Sequence, residues 1–172
     1  MVLAVTHSLI SAFYVFLVKK GFNLRFINNN HLFVAAVAGI LPDLDIIIRC
    51  FNNLLNLNLP EILGHRGLFH TPFFALLFLI PGIILLFTKK REYSTYLFII
   101  AWGIILHICL DYLTSGGIHK GIMWFFPIDN TIYSGILGEK DWIVGFTMDI
   151  DAILLILWLF WLVKKEKIKE FF

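Results

Sequence analysis

YLFIIAWGIILHICLDYL, running from Tyr96 to Leu113, is the stretch on which the fold turns. It is apolar almost throughout, yet His107 and Asp111 sit near its end. The two are spaced i, i+4, so a helix sets them on one face a turn apart, where an imidazole and a carboxylate can hold the same ion. A carboxylate at the centre of a spanning helix costs about 2.5 to 3.5 kcal/mol. The pair HxxxD inside such a run therefore reads first as two ligands of one ion, with a hydrogen-bonded polar pair inside a helical bundle as the other reading.

Four long apolar runs surround the same idea. Met1 to Val18, Thr71 to Phe87, Tyr96 to Leu113 and Ile143 to Val163 each come near the roughly 20 residues that a helical span needs. A fifth run, His31 to Phe51, is broken at Pro42-Asp43-Leu44-Asp45, which reads as a half-helix, a turn and a continuation. Irregular backbone at that depth is tolerated where it lines a protein cavity. The expected fold is thus an all-α polytopic membrane bundle of about four to five membrane helices, one broken at the Pro-Asp-x-Asp turn, forming a single domain over residues 1–172. With 59% apolar and 15% charged residues, the composition excludes an ordinary soluble domain. A net charge of +2 with no broad basic face argues against nucleic acid as a partner.

Basic clusters follow three of the runs: Lys19, Lys20 and Arg25, then Lys89, Lys90 and Arg91, then Lys164, Lys165, Lys167 and Lys169. The positive-inside rule makes those ends cytoplasmic, with the N-terminus outside and the C-terminus inside. Met1 to Val18 has no basic residue before it and ends in lysines where a cleavage site would need small residues, so it reads as a retained helix. Counting ~1.5 Å per residue from the basic ends puts His7 ~18 Å, His107 ~24 Å and Asp151 ~20 Å above the cytoplasmic side. Asp43 and His70 fall at a similar level, toward the outer leaflet.

Five carboxylates, Asp43, Asp45, Asp111, Asp149 and Asp151, would together cost on the order of 12 to 17 kcal/mol at the midplane. The apolar runs hold almost no Lys or Arg to offset them, whereas a bound cation with histidine co-ligands can. Candidate ligands are His7, Asp43, Asp45, His65, His70, His107 and Asp111. Of the pair Asp43 and Asp45, alternation along an extended dipeptide would let one ligate while the other orients a histidine or a water. His65 and His70 bracket Arg66, whose planar fork suits a phosphate beside a metal. His31 and His119 belong to a boundary and a loop and are left out of the site. Cys50 and Cys109 show no CxxC spacing and read as small buried hydrophobes. Histidine and aspartate without cysteine fit zinc best, with manganese or iron as alternatives.

The ordered motifs Thr6-His7, LPDLD (Leu41 to Asp45), HRGLFHT (His65 to Thr71) and HICLDYLTSGG (His107 to Gly117), followed by Phe126-Pro127, resemble the YdjM-like family of predicted membrane-bound metal-dependent hydrolases over most of the chain. More distantly, the order of His, Asp, His and HxxxD is similar to the zinc-dependent phospholipase C and P1 nuclease superfamily. That second likeness implies Asp45, His70, His107 and Asp111 around one ion, with His7 and Asp111 touching another, and one to three ions in all. Together the resemblances imply hydrolysis of a phosphoester, lipid-linked or not, at an inner membrane. In that reading Asp43 and Arg66 are catalytic, one taking a proton and the other stabilising developing negative charge. Two other classes compete: a transporter for metal ions or protons, and a metal-stabilised membrane scaffold.

Overall fold

The computed structural model describes residues 4–63, 66–114, 121–136, 151–158 and 160–161. Among these the chain is all-helical: α1 (Ala4–Gly21), α2 (Asn29–Ala38), α3 (Leu44–Leu55), α4 (Pro72–Leu86) and α5 (Arg91–Thr114), with 3-10 turns at Glu61–Leu63 and Leu68–His70 and a helical stretch at 151–158. One isolated antiparallel bridge joins Ile122 and Tyr133.

Each helix starts and stops for local reasons. Asn28 caps α2 by accepting from the His31 backbone N–H, and the His31 ring accepts in return from the Asn28 N–H, so two orphan donors are satisfied by one reciprocal box. Thr71 caps α4, with Pro72 opening the helix where a missing N–H is harmless. Pro42 cannot extend α2, and the chain passes through overlapping turns from Ile40 to Asp45 before α3 begins. The broken helix expected from the sequence is present. Asp43 and Asp45, however, lie in right-handed helical backbone and not in an extended dipeptide. Their side chains still part, because two residues turn a helix by about 200°.

α5 is the long element against which α1, α2 and α4 pack. Small residues set the approach: a Cβ on Gly103 would stand 2.6 Å from the Ala38 Cβ and 3.1 Å from Ser11 Oγ. Ser8 Oγ donates to the Ala36 carbonyl at 3.0 Å, and Ser94 Oγ to the Gly82 carbonyl at 2.7 Å, tying α1 to α2 and α4 to α5. Close contact through small side chains and inter-helix hydroxyl bonds is how helices associate where water supplies no driving force.

The distribution of polarity is inverted. Thr6, His7, Ser11, Asp45, His70, His107 and Asp111 are buried, while Phe13, Phe33, Ile80, Ile84, Phe87 and many other large apolar side chains are exposed. Exposed apolar surface on this scale needs a cover. α5 is long and apolar enough to cross a membrane, and α4, at 15 residues, is apolar but shorter.

Candidate metal centre

The buried polar groups converge at one end of the bundle. His7 comes from the start of α1, Asp43 from the turn after α2, Asp45 from the first turn of α3, Arg66 and His70 from the segment before α4, and His107 and Asp111 from the last turns of α5. Two sets of side chains bring their ligand atoms within 4.8 Å of one another: His7, Asp43 and His107, and His70, His107 and Asp111. His65 lies outside the described residues, as do His119 and Asp149. His31 stands apart, stacked on Tyr96 with ring centroids 4.3 Å apart.

At the centre His70 Nε2 and His107 Nε2 are 3.3 Å apart. Asp43 Oδ1 is 3.6 Å from each of them. Asp111 Oδ2 is 3.6 Å from His70 Nε2 and 3.8 Å from His107 Nε2. These separations are too long for good hydrogen bonds, yet the atoms point at a common space.

Behind the rings the contacts are short. His107 Nδ1 lies 2.7 Å from the Gly39 carbonyl, and His70 Nδ1 lies 2.9 Å from Asp45 Oδ2. Each histidine therefore gives one nitrogen to an orienting acceptor and turns the other toward the cluster. Asp45 Oδ2 also accepts the Arg66 backbone N–H at 3.1 Å. The two aspartates thus separate by position: Asp43 faces the cluster, and Asp45 faces the back of His70. Asp43 stands at the cap position of α3 but makes no capping hydrogen bond, so helix capping does not account for it.

His7 stacks on His107 at 3.8 Å between centroids, with its Nε2 3.4 Å from Asp111 Oδ1. Its Nδ1 has no hydrogen-bond partner among the described residues. Arg66 reaches Asp111 Oδ2 at 3.5 Å from a backbone with φ of 64°, a left-handed conformation that costs a non-glycine residue roughly 1 to 2 kcal/mol. That outlier sits beside the cluster, where such strain is concentrated in functional sites.

Burial by itself would lower the pKa of His70, but the facing carboxylates of Asp43, Asp45 and Asp111 outweigh it and raise the value to about 9. At neutral pH the ring is then an imidazolium, with Nδ1–H on Asp45 and a proton on Nε2. A cation must displace that Nε2 proton. Apparent metal affinity is expected to rise by about tenfold per pH unit between pH 7 and 9 and then level off. Titration of the metal-free protein at several pH values checks this, and a flat profile would contradict it.

Three features escaped the sequence reading. Gly39 supplies the carbonyl for His107, and a Cβ there would collide with the His7 carbonyl oxygen. That Asp45 and not Asp43 stands behind His70 is the second, since the sequence left the choice between them open. Asp151, 7% exposed, accepts the Thr6 N–H at 2.6 Å, so a carboxylate from the last helical stretch caps the first turn of α1 one residue from His7. Nothing local links Asp151 to Thr6.

No curated protein and no solved structure matches the chain. The remoter likeness to the phospholipase C and P1 nuclease superfamily gains no support from these comparisons. The family described as YdjM inner membrane protein matches residues 1–171. With an inverted polarity, a helix long enough to cross a bilayer and a buried His/Asp cluster at one end, this chain belongs to the YdjM inner membrane protein family.

Proposed function

We propose that the protein is a membrane-bound hydrolase whose Asp43, His70, His107 and Asp111 hold one divalent ion, zinc foremost, for cleavage of a phosphoester. One observation carries the ion. Ligand atoms about 2.1 Å from a tetrahedral centre lie about 3.4 Å from one another. Five of the six separations among Asp43 Oδ1, His70 Nε2, His107 Nε2 and Asp111 Oδ2 fall between 3.3 and 3.8 Å. The two candidate groups share His107, and its Nδ1 is turned to Gly39, so both draw on the same Nε2. A second ion would have Asp111 Oδ1 and His7 Nε2 as its start.

A divalent ion in this position supplies a Lewis acid that lowers the pKa of water and polarises a phosphoryl oxygen. The chain's own groups do the rest. Asp43, whose side chain keeps 16% exposure while those of His70 and Asp111 keep 0 to 1%, is the ligand that would give up its position to an attacking water and take its proton. Arg66, buried at the cluster's edge, is placed to stabilise the charge that grows on the phosphoryl oxygens. The surrounding apolar helices keep bulk water away and strengthen both effects.

In this reading α1, α4, α5 and the last helix cross the membrane, giving with the broken α2–α3 pair the four to five membrane elements. Lys19 and Lys20 end α1 and Arg91 begins α5, on the end of the bundle opposite the cluster, which supports a cytoplasmic basic face and a site toward the outer leaflet. Arg66→Ala tests the catalytic assignment: hydrolysis of an aryl phosphate ester by the metal-loaded protein should fall by about 10² to 10³ with metal content unchanged. Loss of the metal along with activity would make Arg66 a structural residue.

A further inference from the structure

α3 is amphipathic in the wrong sense for a water-soluble helix. At about 100° per residue, Ile47, Phe51, Leu54 and Leu55 form one face, and Asp45, Arg49 and Asn52 the opposite one. The polar face is covered at its head, where Asp45 is fully buried, and Asn52 is partly covered, while Arg49 is exposed. The apolar face is open, with Ile47 51%, Phe51 56% and Leu54 75% exposed. Exposed apolar residues continue past the helix at Leu57, Leu59 and Ile62.

With 12 residues α3 is about 18 Å long, too short to cross a hydrocarbon core of about 30 Å. It packs on the 3-10 turn Glu61–Leu63 and, among the described residues, makes little other contact with the bundle. Asn52, Asn53, Asn56 and Asn58 gather at its far end, where their amides would need water or head groups. In an inner membrane protein, these features fit a helix lying in the plane of the interface. Its first residues are also the entrance to the site, because Asp43 immediately precedes it and is the most exposed of the cluster's side chains.

We propose that α3 lies in the head-group region with its apolar face on the acyl chains, and that the cluster opens at its foot onto the phosphate of a membrane lipid. The second half rests on the hydrolase reading above, and the first does not. The occupant is lipid because the apolar face belongs to a membrane protein and runs on into further exposed apolar chain, while Asp45, at the head of the polar face, faces the site. In the reaction, water oxygen bonds to phosphorus as the ester P–O bond breaks, and a proton ends on the departing lipid alcohol.

The full chain, with Cys50→Ala and Cys109→Ala, is labelled in turn at Ile47→Cys, Leu54→Cys and Asn53→Cys with a small fluorophore and placed in phosphatidylethanolamine/phosphatidylglycerol bilayers. Labels at 47 and 54 are expected to be quenched by nitroxide-bearing lipid and spared by aqueous iodide, with the reverse at 53. Quenching of 47 and 54 by iodide would overturn the placement. So would quenching by neither agent, which would mean that protein covers this face. For the substrate, the metal-loaded native protein is given phosphatidic acid in vesicles or glycerol 3-phosphate in solution, two phosphate esters that differ in their acyl chains. A kcat/KM at least about tenfold higher for the lipid is expected. Equal or better turnover of the soluble ester would overturn the lipid substrate. Turnover of neither would sink the hydrolase reading and the lipid substrate together, and the quenching pattern would still decide α3.

Discussion

His107→Ala should reduce the affinity of the metal-free protein for zinc by more than about a hundredfold, as read by calorimetric titration, a larger loss than the 10- to 100-fold typical of orienting partners. The reason lies in how many contacts converge on one ring. His107 Nε2 is within 3.3 to 3.8 Å of His70, Asp43 and Asp111, and the ring stacks on His7. Removing it takes away one of the four facing donor atoms and leaves Asp43 and Asp111 without one of the imidazoles they face. Asp45→Asn gives the graded comparison, because Asp45 acts through His70 Nδ1. Its loss should fall in the 10- to 100-fold range. Equal effects from the two substitutions would mean that Asp45 binds the ion directly.

Gly39→Ala carries the largest expected effect on stability. An added methyl would meet the His7 carbonyl oxygen and carbon and stand 2.9 Å from the Ser11 Cβ, all of it helix backbone or a β-carbon that no rotamer change can move. Overpacking of this kind costs about 1 to 3 kcal/mol and sometimes more, and the upper end applies where the neighbour is backbone. The same shift would carry the Gly39 carbonyl away from His107 Nδ1 and push α1, with His7, off the cluster. Thermal unfolding of the detergent-solubilised variant should show a fall of several degrees together with weakened metal binding. Gly21→Ala, where a Cβ would meet nothing within 4 Å, is the matched control and should change neither.

The parts of this account that were legible in the sequence are those encoded by local spacing. The i, i+4 pair His107 and Asp111 lands on one face because α5 is an uninterrupted helix. The break at Pro42 could be read because proline ends a helix whatever surrounds it. Convergence of His7, Asp43, His70, His107 and Asp111 followed from charge: buried carboxylates in an apolar chain must share a compensating partner. The division of labour between Asp43 and Asp45 was not legible, because it depends on which side of His70 each carboxylate meets. The Gly39 carbonyl and the Asp151 cap on Thr6 were hidden for the same reason, being contacts between residues 68 and 145 positions apart. Apolar runs also overstate spans: α4 is 15 residues long, and α5 is the helix that meets the requirement by length and hydropathy among the described residues. The inverted face of α3 was concealed because amphipathicity in a sequence shows two faces but not which of them meets lipid.

The most direct test of the central claim is the metal content of the full chain, purified in detergent without chelator and measured by elemental analysis. The four facing donor atoms predict about one tightly held divalent ion per chain, zinc before manganese or iron, lost on exposure to a strong chelator and restored by adding the ion back. Protein that is folded, carries no metal and takes up none when offered zinc, manganese or iron would contradict it.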